Sequence, residues 1–165
     1  PILEHYATMV AGDWALTSKP RGVASALLPM GGAVTGVAGA NWMLIGDAAA
    51  CVNPLNGEGI DYGLETGRLA ASMLGAPDLA AAWPALLADH YARGFSVARR
   101  LGLLLTLPRF LPLTGPVAMR SRRLMGLAVR VMGNLVTDED ADWVAKVWRS
   151  AGYGSRILDR RKPFS

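Results

Sequence analysis

Trp42-Met43-Leu44-Ile45-Gly46-Asp47-Ala48-Ala49-Ala50-Cys51-Val52-Asn53-Pro54-Leu55-Asn56-Gly57-Glu58-Gly59-Ile60 is the stretch on which the reading of this chain turns. It begins with a compact apolar run, Trp42 to Ile45, of the kind that forms a buried parallel strand, and the run ends in Gly46-Asp47, which sets a polar side chain at the strand's C-terminal edge. Ligands of open α/β sheets bind at that edge. Small residues follow, letting a ligand approach the backbone, and Gly57 and Gly59 stand where a helix begins. The first N–H groups of a helix lack intrahelical acceptors and carry the positive end of its dipole, so such a terminus suits an anion or an electron-rich ring edge. Asp47 has two readings on these grounds. Its carboxylate accepts hydrogen bonds from the hydroxyls of a sugar or polyol, or it caps a neighbouring turn. Gly57 and Gly59 either open the site or only permit an unusual backbone angle, and a short glycine pattern does not decide between these.

Upstream, Ile2, Leu3, Tyr6, Met9 and Val10 fall at helical spacing and predict a short amphipathic helix ending near Gly12. Val23 to Leu28 and Ala33 to Val37 read as two short strands, separated by the turn cluster Pro29-Met30-Gly31-Gly32. Downstream, Ile60, Leu64, Leu69 and Met73 give one apolar side to a helix from about Glu58 to Leu74. Its interior Gly63 and Gly67 weaken it by roughly 1 kcal/mol each relative to alanine, which implies close packing against another backbone. Pro84 suits a first helical turn, so a long helix is expected from Trp83 to about Leu105, after which Pro108, Pro112 and Pro116 break the chain. A second, basic helix is expected over about Val117 to Met132. Thr137, followed by Asp138, Glu139 and Asp140, reads as an N-cap with acidic first-turn residues opening a last helix through Arg149. Trp83, Trp143, Trp148 and Tyr153 are expected in core or interhelix positions.

The 165 residues are 52% hydrophobic, which excludes a disordered tail and predicts a packed core. The chain opens on Pro1-Ile2-Leu3 without a methionine or targeting segment, and this is expected to be a cut or processed end. A single cysteine, Cys51, forms no internal disulfide and reads as a small buried hydrophobe, so the cytoplasm is the default location. Between His90 and Thr137 there is no carboxylate, yet Arg93, Arg99, Arg100, Arg109, Arg120, Arg122, Arg123 and Arg130 all fall there. Its apolar runs are too short to span a bilayer, which takes about 20 residues. Leucines, Phe110 and prolines among arginines fit either a bilayer interface with anionic headgroups or an ordinary helical subdomain with a solvated basic face. Arginines alone, with few aromatic residues among them and no motif, do not support a nucleic-acid partner. His5 and His90 have no acidic or cysteine partners at ligand spacing, so no metal is expected.

The Gly46-Asp47-Ala48-Ala49 box, the proline, the glycines and the helix, in that order, resemble the second FAD-binding motif of the flavoproteins that include aromatic hydroxylases and geranylgeranyl reductases. The form Asn53 to Ile60 resembles the geranylgeranyl reductase branch, and the resemblance runs from about Leu28, through Pro29-Met30-Gly31-Gly32, to about Leu74. It implies FAD as cofactor, held by Gly46, Asp47, Ala48, Pro54, Leu55, Asn56, Gly57, Glu58, Gly59 and Ile60. Asp47 would take the ribityl or pyrophosphate part, and Pro54, Leu55, Asn56, Gly57 and Gly59 would line the isoalloxazine. The helix starting near Glu58 would aim its N-terminus at the N1 and C2 carbonyl edge, where a reduced flavin gathers negative charge. Asn56 occupies the variable position and would tune contacts at the flavin face.

The fold so implied is α/β, or an α+β fragment: the C-terminal part of a Rossmann-like FAD-binding domain with a mostly helical C-terminal region. Residues 1–40 would end a substrate-binding region and supply return strands, 41–80 would be the second half of the FAD-binding domain, and 81–165 the helical region. The residues after the motif resemble actinobacterial members that act on menaquinone. The implied reaction saturates an isoprenoid double bond, with hydride from flavin N5 and a proton from solvent or an acid, and no residue here is assigned as that acid. Glu58, in a first helical turn, reads as a partner of the dipole. No Gly-x-Gly-x-x-Gly follows a strand, so the pyrophosphate-binding element is expected in a missing N-terminal portion of the same protein, and the isolated chain is expected to be inactive. The implied partners are an isoprenoid or quinone substrate and a peripheral contact with the inner face of the cell membrane. Two other readings stand beside this one: an FAD-dependent aromatic monooxygenase, and a non-catalytic helical module that binds a membrane or a partner.

Overall fold

The computed structural model describes residues 2–137, 139–160 and 162–164. In chain order its elements are α1 (Ile2–Val10), β1 (Ala38–Gly39), β2 (Trp42–Met43), a single 3-10 turn at Gly46–Ala49, α2 (Ile60–Ser72), α3 (Leu79–Leu105), α4 (Phe110–Arg120), α5 (Arg122–Met132) and α6 (Trp143–Ile157). The core is built on α3. Asp78 caps it by accepting from the Ala81 N–H at 3.1 Å. Trp83, Leu87, Tyr91 and Phe95 then recur every four residues, so they share one face, and all four are buried, in a cluster with Val37, Cys51, Leu69 and Phe164. Its neighbour α6 starts at Asp142, whose side chain accepts from Ala145 N–H at 2.9 Å. Small residues let the two helices approach. A Cβ on Gly152 would stand 3.2 Å from Arg93 Cβ. The Ser96 and Ser155 hydroxyls meet at 2.7 Å. Arg99 and Arg100 then both hold Asp159, at 2.8 and 3.1 Å.

These elements correct the expected fold class. The chain is predominantly helical, and its sheet among the described residues is two antiparallel strands of two residues each, with Ala38 opposite Met43 and Gly39 opposite Trp42. That is no part of a Rossmann-like parallel sheet. The reason lies in where the backbone groups of the Trp42 to Ile45 run go. Leu44 N–H bonds back to Val37 O at 2.8 Å, and Leu44 O accepts from the Trp83 indole N–H at 2.9 Å. The run is thus closed by its own upstream neighbour and by α3, and among the described residues no parallel partner is paired with it. The two strands expected at 23–28 and 33–37 do not form either. Gly31, Gly32 and Gly36 all take positive φ and turn the chain, and Gly31 and Gly32 N–H dock on Val52 O and Ala50 O, both at 2.9 Å.

Helix positions also shift. α1 stands where the spacing puts it. α3 begins at Leu79, so Pro84 lies inside it rather than in its first turn. The single basic helix expected over 117–132 is two, because Ser121 is extended; Ser121 Oγ then caps α5 at Leu124 N–H, 3.3 Å away. Pro112 and Pro116 do not break the chain but lie within α4. The last helix is capped by Asp142 and not by Thr137, whose N–H is taken by Asp140 Oδ2 at 2.9 Å; Asp138 lies outside the described residues. Trp83 is fully buried as expected, whereas Trp143 and Tyr153 are exposed, Tyr153 lying under the Arg93 guanidinium.

Much of the chain is uncovered. Its accessible surface is 11693 Å² for 17.5 kDa. A compact monomer of that mass shows roughly 7,900 Å². α1, α4 and α5 contain no buried residue, and neither does the segment 11–30.

Candidate functional site

The turn after β2 is set by Gly46. Its φ of +53° lies in the left-handed region, and a Cβ there would meet Gly63 Cα at 3.3 Å, so the turn rests against the α2 backbone through glycine. The close approach read from α2's glycines is therefore present, with Gly46 as the tight side of it. Gly46 N–H is buried and donates to Thr66 Oγ1 at 2.9 Å, while that hydroxyl donates to Tyr62 O at 2.6 Å. Thr66, fully buried, thereby fixes the turn that carries Asp47. Sequence reasoning passed over Thr66. A buried threonine one helical turn after a glycine is the signal that was there to read.

Asp47 comes to the mouth of α2. A Cβ on Gly59, the residue preceding that helix, would lie 2.7 Å from Asp47 Oδ1, so glycine there lets the carboxylate rest against the helix start, and a larger residue would displace it. Asp47 is exposed and its carboxylate takes no hydrogen bond among the described residues, so it is no cap in the hydrogen-bonding sense. A negative charge there is favourable against the helix dipole. The mouth itself is closed by the chain's own side chain: Glu58 Oε1 accepts from Asp61 N–H at 2.9 Å. Glu58 Oε2 is buried without a hydrogen-bond partner.

The loop between turn and helix is braced from within and from α5. Asn53 N–H donates to Glu58 O, and Gly57, at φ +76°, donates to Asn53 O, both at 2.8 Å. Asn56 uses both ends of its amide in the chain, Oδ1 accepting from Glu58 N–H at 2.8 Å and Nδ2 donating to Met132 O at 2.6 Å. Asn134 ends α5 in the left-handed conformation that asparagine tolerates. Its Oδ1 accepts from Asn53 Nδ2 at 3.2 Å and from Tyr62 OH at 3.0 Å. Pro54 and Leu55 turn inward, where a Cβ on Gly102 of α3 would meet Pro54 O at 3.1 Å. Ala48, Gly57 and Ile60 are exposed, and a Cβ on Gly57 would meet nothing within 4 Å. The structure thus brings Gly46, Asp47, Glu58 and Gly59 together, leaves Gly57 and Ile60 open, and packs Pro54, Leu55 and Asn56 against other parts of the chain.

Cys51 is fully buried, and burial, with Glu65 and Asp47 nearby, pushes its thiol up to about 12, so it is not a nucleophile at neutral pH. Tyr62 is likewise pushed up to about 12, chiefly by burial. A cavity of about 500 Å³ opens elsewhere, walled by Tyr62, Tyr91, Phe95, Asn134 and Tyr153. Asn53 reaches it from the motif, and none of the residues expected to hold the cofactor lines it.

For a flavin the chain leaves unused the Asp47 carboxylate, which could accept from hydroxyls, and the open backbone at Gly57, while Glu58 Oε2 is buried within the chain.

No family model matches the chain, and no solved structure shows significant similarity to it. Among curated proteins it is 70% identical over 165 residues to the Menaquinone reductase of Mycobacterium tuberculosis (strain H37Rv), all of this chain and 40% of that protein. It is 71% identical over 168 residues to the Menaquinone reductase of Mycolicibacterium smegmatis, all of this chain and 41% of that protein. The chain is therefore homologous along its whole length to actinobacterial menaquinone reductases and spans about two fifths of the length of these relatives.

Proposed function

We propose that the whole protein reduces a double bond in the isoprenoid side chain of menaquinone with FAD, and that the turn at Gly46–Ala49 is this chain's contribution to the flavin site. The observation that carries the reading is Asp47, held against Gly59 with its carboxylate unbonded among the described residues. Identity of 70% along the chain to proteins named Menaquinone reductase supports the substrate. When bound, FAD supplies the hydride for the double bond.

The chain's own residues bind and orient. Asp47 accepts from the cofactor's hydroxyls, its position fixed by the Thr66 hydroxyl through Gly46 N–H. Gly57 leaves room for a ring to approach the backbone. No residue here is assigned the proton transfer.

The test is FAD affinity and turnover of the whole protein with Asp47→Ala. A hydrogen bond to a charged group contributes about 1.5–3 kcal/mol, so affinity should fall roughly 10- to 150-fold. Unchanged FAD affinity would remove Asp47 from the site. Anaerobic reoxidation of the reduced flavin by menaquinone, with one side-chain double bond gaining a hydride and a proton and the quinone ring left oxidised, is the expected turnover; menaquinol with an intact side chain, or oxygen-dependent hydroxylation of an aromatic compound, would overturn this reading.

A further inference from the structure

We propose that Phe164 is a positioning residue for the flavin site: seated behind Gly32, it holds the Ala50 end of the turn that carries Asp47. The inference rests on the reading of Asp47 given above, and every contact it uses joins two parts of this chain. The turn is anchored at both ends. At its start Gly46 N–H donates to Thr66 Oγ1. At its end the chain reverses at Ala50, which is fully buried and left-handed, with φ +55°, although it is an alanine. Backbone of that kind persists only where its surroundings fix it. Ala50 N–H turns back on Asp47 O at 2.9 Å and Cys51 N–H on Gly46 O at 3.0 Å, while the Ala50 carbonyl accepts the Gly32 N–H at 2.9 Å.

Gly32 is in turn held from behind. Its carbonyl accepts from Phe164 N–H at 3.0 Å, so Phe164, Gly32, Ala50 and Asp47 are joined by three backbone hydrogen bonds in series. Phe164 is itself left-handed, with φ +60°, and fully buried, its ring centre 6.3 Å from that of Phe95 on α3. A Cβ on Gly32 would lie 2.9 Å from Phe164 Cζ, so the ring fills the space the glycine leaves. Arg99 clamps the same join, donating to Gly31 O at 2.7 Å and to Asp159 Oδ2 at 2.8 Å. Gly31 N–H then reaches Val52 O at 2.9 Å, beside the first bond. Withdrawing the ring frees Gly32 to move, and the Ala50 carbonyl loses the donor that keeps the end of the turn in its left-handed bend.

The test uses the whole protein with Phe164→Leu and Phe164→Val, which leave progressively less side chain in the core, under conditions where near-ultraviolet circular dichroism shows both folded. FAD is titrated into the apoprotein of the parent, of each variant, of Asp47→Ala and of Asp47→Ala with Phe164→Val. Phe164→Val should weaken FAD binding roughly tenfold, the low end of losing a hydrogen bond to a charged group, with Phe164→Leu in between. In the Asp47→Ala background Phe164→Val should cost nothing further, because both act on one contact. Deuterium exchange at the Gly32, Ala50 and Cys51 amides should quicken in the same order. A role in packing alone would lower Tm and leave FAD binding by the folded protein at the parental level; that result overturns the proposal, as does an undiminished loss in the Asp47→Ala background. If Asp47→Ala itself binds FAD like the parent, the flavin reading falls and the amides decide: parental exchange at Ala50 and Cys51 in Phe164→Val overturns the hold on the turn, and quickened exchange upholds it.

Discussion

Replacing Thr66 separates two contributions that the site combines. Its hydroxyl accepts from the buried Gly46 N–H at 2.9 Å, and its methyl lies in a fully buried position. Thr66→Val keeps the shape and adds apolar surface but removes the acceptor, leaving Gly46 N–H buried and unsatisfied at about 1–3 kcal/mol. Thr66→Ser keeps the acceptor and loses one methyl, about 1 kcal/mol. The more polar replacement should then be no worse than the apolar one, the reverse of what hydrophobic burial alone gives. In a domain of this size each kcal/mol moves Tm by about 2–4 °C, so Thr66→Val should melt about 2–12 °C below the parent. Urea unfolding followed by circular dichroism, with thermal melts alongside, reads both variants. A valine variant as stable as the parent, beside a serine variant clearly weaker, would refute the claim that the Thr66 hydroxyl holds the turn.

Gly32→Ala should destabilise strongly. Gly32 has φ +72°, and a Cβ would lie 2.8 Å from Pro163 Cβ and 2.9 Å from Phe164 Cζ. The left-handed backbone costs about 1–2 kcal/mol and overpacking about 1–3 kcal/mol more. A denaturation midpoint unchanged from the parent would show that the C-terminal Phe164 does not pack there. Alkaline pH should destabilise the chain through Cys51, whose folded thiol is raised from 9.0 to about 12. Above the unfolded value the unfolded state binds fewer protons, so stability is full below about pH 9 and falls toward pH 12, by at most about 1.4 kcal/mol per pH unit from this group. Cys51→Ala should flatten Tm against pH over that window; an unchanged slope would count against the buried thiol.

The helices were legible where apolar residues recur at helical spacing, as at Trp83, Leu87, Tyr91 and Phe95, because one chain segment carries the whole signal. The strands were not. A short apolar run such as Trp42 to Ile45 reads the same whether it joins a parallel sheet or, as here, pairs with the antiparallel Ala38–Gly39 strand and gives its remaining groups to Val37 and the Trp83 indole, partners that no local pattern names. Asp142 caps the last helix where Thr137 was expected to, both being good capping residues, and Ser121 caps a helix start that the expected single helix over 117–132 did not contain. At the site, the meeting of Asp47 with Gly59 followed from twelve residues of local sequence. The roles of Thr66, Met132 and Asn134 did not, because they depend on where α2 and the end of α5 arrive in space.

Asn134 has a mechanical meaning. Its carboxamide oxygen receives Asn53 and Tyr62, and two residues earlier the Met132 carbonyl receives Asn56, all at 2.6–3.2 Å. The foot of α5 is thus bolted to the loop that hangs between the Asp47 turn and the Glu58 cap. Tilting α5 as a rod shears these three hydrogen bonds unless the loop, through Asn53 and Asn56, and α2, through Tyr62, move with it.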